Sequence, residues 1–339
     1  MSIKYIEVLF RDYYRRSFQP PDIPRIRERE IAYQLFGVDT MIRHRAVGSM
    51  EELRDALARQ SPRHVYYSSS YFERPGEEDM GMKEWRGADL VFDIDGDHLE
   101  TKSCAGISVM TIECLEDARR EAVKLVDVLM SEFGVSHMRI TFSGNRGFHV
   151  HVEEGDVITL GQEERRELVN YITAKADLTR QLIINDEFML DVTDSASLSM
   201  GGPGRVLKAV LEVLGRRPKP INVAGMKGEI LKKLGIAIDE VVTIDINRLI
   251  RMPNTLHGKT GLMVAEVSLS ELESGVEAVL KRAIAFNKGS IAVKFKVGLN
   301  AKVLGEDVRA VPGSSMVLPQ AVAIYVMLND LAELERGGK

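Results

Sequence analysis

Residues 90–95 read LVFDID, so Leu90, Phe92 and Ile94 alternate with Val91, Asp93 and Asp95. A side-chain period of two predicts a strand with one apolar face and with both aspartates on the other face, at the strand's end. Further on the period lengthens. Over 114–134, Leu115, Ala118, Ala122, Leu125, Leu129 and Phe133 fall at three- and four-residue steps, and Gly134 supplies a stop, which predicts an amphipathic helix. HMRITFSG and FHVHV then flank GNRG, the pattern of two strands joined as a hairpin. On the second of these strands Gly147, His149 and His151 share one face, and Phe148, Val150 and Val152 the other.

From about 160 to 240 the texture is different. Helical stretches at 162–180 and 204–215 are interrupted by SMGGPGR and RRPKPINVAG, and strand patterns are scarce. Alternation returns at 241–247 (VVTIDIN) and 291–297 (IAVKFKV), which predicts two strands. Ser268 and Glu271 have capping-box spacing and predict a helix over 269–286. The expected architecture is an α/β (α+β) domain assembled from residues 1–159 and 239–339, with a mostly helical insertion over 160–238.

Composition changes this picture little. The chain has 339 residues, 45% apolar and 28% charged, which suits a globular protein with an ample core. No apolar run approaches the roughly 18 residues of a spanning helix, and MSIKYIEVLFRDYYRR lacks a signal-peptide layout. No membrane association is expected. Two cysteines, Cys104 and Cys114, cannot make a disulfide framework, so a reducing cytoplasm is the expected location. The net charge of −5 excludes a uniformly basic surface. Local basic runs at 11–16, 25–30, 43–45 and 215–220 still leave room for a polyanionic partner, although each alone reads as a solvated face.

Three constellations carry chemistry. In DLVFDIDGDHL the strand ends in Asp93-x-Asp95, an arrangement suited to a hard divalent cation that takes one or two carboxylates plus substrate phosphates. The same stretch looks like the FDxDG opening of haloacid-dehalogenase-type phosphatases. In SGNRGFHVHV, Ser143, Arg146 and His149 converge with backbone amides at a glycine-flanked hairpin tip, a set suited to a triphosphate. In TIDINRLIRMPNTLHGKTG, Asp245 sits between inward Ile244 and Ile246, and Arg251, His257 and Lys259 gather around Pro253.

In this order the three segments resemble the catalytic small subunit of archaeal–eukaryotic DNA primases. Asp93 and Asp95 match that family's Asp-x-Asp, and Ser143, Gly144, Arg146, Gly147 and His149 match its Ser-Gly-x-Arg-Gly-x-His without a gap. Asp245, Arg251, Pro253 and His257 match its third motif. RERE…MIRHRAV, VYYSSSYFERP and MKEWRGADLVFDIDGDHL extend the resemblance over most of residues 1–265. A dehalogenase would carry its FDxDG near the start and follow it with Thr. Here about ninety residues precede it, Asp97 takes the Thr position, and no late Gly-Asp-x-x-x-Asp follows.

The resemblance implies a nucleotidyltransferase of DNA replication that makes short primers on single-stranded DNA from nucleoside triphosphates, partnered by a primase large subunit. It implies a core sheet like that of RNA-recognition domains, flanked by helices. Asp93, Asp95 and Asp245 would hold Mg²⁺ or Mn²⁺ in a two-metal site. Ser143, Gly144, Arg146, His149, Arg251 and His257 would bind the incoming nucleotide, with Arg43 and His44 placed toward the initiating nucleotide or template. The alternatives are a stand-alone repair or plasmid polymerase of the same superfamily and a non-catalytic nucleic-acid-binding subunit. Many members carry a Cys/His zinc knuckle where this chain has His98, Cys104 and Cys114. Structural zinc takes four ligands in close pairs, whereas these cysteines lie ten apart, Thr111 stands where a third thiolate belongs, and Asp97, Glu100, Glu113 and His64 offer no persuasive fourth. The expectation is a loop held by packing without zinc, with Cys104 a loop thiol and Cys114 a buried cysteine opening the helix.

Overall fold

The alternation at 90–95 is realised as strand β6 of an antiparallel sheet in a computed structural model, which describes residues 2–106, 109–176, 183–184, 187–188, 201–214 and 225–335. The elements before it are α1 (Ser2–Arg16), β1 (Ile31–Gln34), β2 (Ile42–Arg45), α2 (Met50–Gln60), β3 (His64–Ser68), β4 (Ser70–Phe72) and β5 (Trp85–Ala88), and β6 spans Leu90–Asp95. Then come α3 (Ile112–Ser131), β7 (Arg139–Phe142), β8 (Gly147–Val152), α4 (Gln162–Ile172), the short β9 (Ile183–Ile184) and β10 (Glu187–Phe188), α5 (Gly201–Leu214), α6 (Lys227–Leu234) and α7 (Glu240–Ile244). Strand β11 (Leu249–Arg251), β12 (Ala265–Val267), α8 (Leu269–Ser274) and α9 (Val276–Ala283) follow. The chain finishes with β13 (Ser290–Phe295), β14 (Leu299–Val303), β15 (Glu306–Ala310), β16 (Ser315–Pro319), α10 (Gln320–Leu328) and β17 (Ala332–Leu334).

Two four-stranded sheets position the site. One has the order β12-β7-β8-β6, the other β11-β3-β1-β2. Both join distant parts of the chain, because β11 and β12 pair with β3 and β7 respectively. In the first sheet the apolar face of β6 and β8 (Phe92, Ile94, Phe148, Val150) packs against the buried stripe of α3, which includes Leu115, Ala118, Ala122, Leu125 and Leu129. The opposite, polar face turns toward the second sheet. Tyr67 of β3 stacks on His151 of β8 with centroids 6.4 Å apart, and Val91 packs with Ile250 of β11 and Val242 of α7. Every residue of β8 is therefore buried, its histidines included.

The expected hairpin, the α3 helix and the capping box of Ser268 and Glu271 are present. Three expectations are corrected. The helix expected over 269–286 is broken at Gly275, whose φ of 113° ends α8 before α9 begins. The strand expected at 241–247 is instead α7, because Asp239 caps it: its carboxylate accepts the Val241 N–H at 3.0 Å. β-branched residues there had suggested a strand, and the cap overrides that preference. Cys104 and Cys114, expected as free thiols, form a disulfide with Cα atoms 4.8 Å apart. The few cysteines that argued for a reducing cytoplasm thus carry no such implication, since disulfides are common inside some hyperthermophilic archaea.

In the middle of the chain, α4 belongs to the main core through Val169 and Ile172, and buried Arg165 donates to the carbonyls of Ala88 and Asp89. Helices α5 and α6 form a small core of their own around Val206, Val210, Ile230 and Leu234. The helix expected over 162–180 stops at Ile172, and the break expected at SMGGPGR (199–205) is not one where it is described, because Gly201–Arg205 already belong to α5. Residues 177–180, Ser199 and Met200 and the basic run at 215–220 lie outside the described residues.

Candidate active site

The strand pairing itself builds the site. In the β6–β8 register Asp93 lies opposite His149 and Asp95 opposite Gly147, so acidic and hairpin residues occupy one face. Gly147 is required by this approach, for a Cβ there would meet the Ile94 carbonyl oxygen at 2.0 Å. Between the two sheets lies a cleft of about 200 Å³ lined by Tyr66, Asp93, Asp95, Ser143, Asn145, His149, Arg248, Arg251 and His257.

One wall is acidic. Asp93 is pushed up to about 7 by burial, by Asp95 and by Asp239, against a smaller opposing pull from Arg248. Asp239 is held close because its backbone N–H donates to the Asp93 carbonyl at 2.7 Å. The Asp95 carboxylate accepts the Asp97 N–H at 3.1 Å. Crowded carboxylates at a strand end fit a divalent cation, whose charge relieves the repulsion that raises Asp93. His149 Nε2 stands 3.7 Å from Asp93 Oδ1, too far for a hydrogen bond, and burial with Arg251 nearby lowers this imidazole to about 4.

The other wall is cationic and comes from the second sheet. Arg251 of β11 places its guanidinium 5.0 Å from the Tyr66 ring centre, with Nη1 2.7 Å from His64 Nδ1. His257 is buried and kept neutral by desolvation and by Arg251; its Nδ1 accepts the Lys259 N–H at 3.3 Å. At the hairpin tip Ser143 Oγ accepts the N–H groups of Asn145 and Gly147, both at 3.3 Å. Gly144 takes φ 78° directly beside His257, where a Cβ would come within 2.9 Å of the His257 Cβ.

Other expected residues stand elsewhere. Asp245 ends α7, and its carboxylate accepts the Asn247 N–H at 2.9 Å; it is not among the groups lining the cleft. Arg146 pairs with Asp97, and its Nε is buried without a partner. On β2, Arg43 donates to buried Glu30 at 2.9 Å and the His44 N–H donates to the same carboxylate at 3.1 Å; Lys83 completes the cluster at 3.1 Å. His98 is exposed and faces a separate hollow of about 650 Å³ between α3 and α6.

Sequence reasoning missed the role of His64, Tyr66 and Arg248 in the cleft. Tyr66 and Arg248 lie inside segments already singled out and His64 directly precedes one, but nothing in the sequence pointed any of them at this cleft. It also missed a group formed by buried Asp89 and His151 with half-buried Glu153, with one potential metal-ligating atom of each within 4.8 Å of the others. Arginines already serve these carboxylates: Arg29 lies 2.7 Å from Asp89, and Arg139 3.0 Å from Glu153. A cation added there would meet two guanidinium charges, so the acidic wall is the better place for a divalent metal.

Residues 92–269, which hold all three motifs, match the profile of the DNA primase small subunit. The DNA primase small subunit of Pyrobaculum aerophilum is 43% identical over 331 residues, covering 97% of this chain and 99% of the relative. That of Archaeoglobus fulgidus is 35% identical over 342 residues, 95% and 96% of the two chains. Among solved structures, the polymerase domain of Mycobacterium tuberculosis ligase D in complex with DNA overlaps loosely. Its TM-score is 0.39 at 13% identity, over 80% of this chain and 82% of that one. Family profile and near-full-length relatives agree, and the chain belongs to the DNA primase small-subunit family.

Proposed function

We propose that this chain is the catalytic subunit of a heterodimeric primase, which joins nucleoside triphosphates into short primers on a single-stranded DNA template. The observation that carries the reading is the cleft's division into an acidic and a cationic wall. A metal-bound triphosphate presents both charges that such walls complement. Asp93 and Asp95 would hold Mg²⁺ or Mn²⁺, with Asp245 as third carboxylate. Two such ions, when bound, supply charge stabilisation for attacking and leaving oxygens during in-line displacement at the α-phosphorus.

The chain's own residues would do the rest by positioning. Ser143, the backbone at Gly144, Arg146, His149, Arg251 and His257 would orient the triphosphate so that a 3′-hydroxyl faces the α-phosphorus and pyrophosphate departs. Neutral His149 and His257 can accept or donate without adding charge. Arg43 and His44 would lie toward the initiating nucleotide or template, and residues 160–238 would form a mostly helical insertion anchored by α4, which packs on the main core. The test is to incubate the chain on single-stranded DNA with Mg²⁺ or Mn²⁺ and labelled nucleotides, with and without a primase large subunit. De novo primers are expected when the large subunit is present. Extension of supplied primers alone, under both conditions, would refute the primase reading.

A further inference from the structure

We infer that His64 is a positioning residue for nucleotide binding: its Nδ1 fixes Arg251 and the Gly258 turn as one unit on the cationic wall. The inference rests on the reading of Arg251 as a phosphate-binding group. Two donors converge on that one nitrogen, Arg251 Nη1 at 2.7 Å and the Gly258 backbone N–H at 3.2 Å. A ring nitrogen that accepts carries no proton, so neutral His64 bears its proton on Nε2.

The sheet brings the three groups together. His64 opens β3 opposite Gln34, and Tyr66, two residues on, pairs with Arg251 of β11. Side chains two apart share a face, so Arg251 passes over the Tyr66 ring and ends on His64. The Gly258 turn holds His257, whose ring meets His64 edge-on with centroids 4.9 Å apart. That turn packs tightly on the start of β3, for a Cβ at Gly258 would lie 2.7 Å from the Arg63 carbonyl oxygen.

The surroundings keep His64 an acceptor. It is buried, and Arg251, Arg63 and Lys259 all face it; together they hold its pKa down at about 2. A protonated imidazole here would repel the guanidinium that it now binds. Without the acceptor, Arg251 would keep the Tyr66 side chain and the attraction of Asp93 and Asp95 but lose the hydrogen bond that fixes the end of its long side chain, which the ligand would then have to order. The cost would then appear in nucleotide binding and not in the chemical step.

Steady-state synthesis on a DNA template by the full chain, with its large subunit present in every assay, distinguishes the possibilities. His64→Leu is expected to raise the nucleotide KM about tenfold and leave kcat within about threefold. His64→Asn, whose amide oxygen can take the place of Nδ1, is expected to restore most of the loss, and thermal midpoints report whether each variant folds. In an Arg251→Ala background, His64→Leu is expected to add no further rise in KM. If His64→Leu raises KM equally in both backgrounds, or lowers kcat alone, the positioning role is overturned. An unchanged KM in His64→Leu beside a raised KM in Arg251→Ala overturns it too and leaves the phosphate reading intact. An unchanged KM in Arg251→Ala would instead overturn the phosphate reading of that wall, and the inference with it.

Discussion

The two walls of the cleft are out of balance in opposite directions. On the acidic wall, burial and neighbouring carboxylates raise Asp93 to about 7. On the cationic wall, burial and Arg251 hold His257 far below its ordinary value, and Arg251 itself is lowered by burial. Each wall carries a charge cost in isolation, and each would be relieved by an ion of the opposite sign. The difference teaches where to look for function: not at either charge cluster alone but where two clusters of opposite sign face each other across a gap and relieve each other only in part. The Arg29–Asp89 and Arg139–Glu153 pairs, by contrast, already contain their own counter-charges.

Removing charge from the acidic wall should have the largest effect. Asp95→Asn or Asp93→Asn keeps side-chain size, so a folded protein is expected with synthesis reduced on the order of a thousandfold or more. Near-normal rates in a folded Asp95→Asn protein would break the acidic wall's role. Next comes the identity of the third carboxylate. Asp245→Asn is expected to cost on the order of a hundredfold in rate and Asp239→Asn less than about tenfold. The reverse order would assign the metal site to Asp239, the carboxylate that acts on Asp93.

The loop that follows the acidic strand is tied to α3 by Cys104–Cys114. Cys104→Ser should lower unfolding free energy by about 2–3 kcal/mol, from lost constraint on the unfolded chain. Protein purified without added metal should hold no stoichiometric zinc by elemental analysis. A stoichiometric amount that vanishes in Cys104→Ser would instead make the loop a metal knuckle. Arg146→Ala comes next: the nucleotide requirement should rise about tenfold with template affinity unchanged. Lost DNA affinity at normal nucleotide dependence would move the hairpin tip from the nucleotide to the template.

The smallest effect is on the cationic wall and reads out as pH. His64 titrates at about 2 when folded and near 6.5 when unfolded, so below 6.5 the unfolded chain binds the extra proton. Stability is then lost as pH falls through the unfolded value. Between pH 7 and 5 this residue should cost on the order of 1–2 kcal/mol, and His64→Asn should make that part of the denaturation profile shallower, the buried His149 and His257 keeping the rest of the slope. An unchanged slope would mean that His64 is not held neutral by its neighbours.

The acidic wall was legible in the sequence because strand alternation and local motifs specify it. The register that sets Asp93 against His149 follows from two adjacent hairpin strands and a neighbour. The cationic wall was only half legible. Arg251 and His257 stood out by residue type, but His64 comes from nearly two hundred residues away and is an unremarkable strand histidine until β3 and β11 pair. Residues 241–247 misled because valine and isoleucine favour strands while a single N-cap, Asp239, decides for helix. The disulfide was not legible either, since no sequence spacing shows that two cysteines ten apart come within bonding reach.

The pairing of β11 with β3 has a consequence for how the protein is made. A ribosome releases His64 long before Arg251, and Asp93 long before β12 closes the other sheet. The last core helix, α10, comes later still, and its Tyr325 hydroxyl accepts the Met110 N–H at 3.0 Å. The nascent chain must therefore carry an open edge on both sheets through most of its synthesis. Nothing resembling the cleft can assemble on a product that stops short of β11. Premature termination before β11 leaves the carboxylates without the wall that faces them, so such an abortive translation product would be inert toward nucleotides and prone to aggregate.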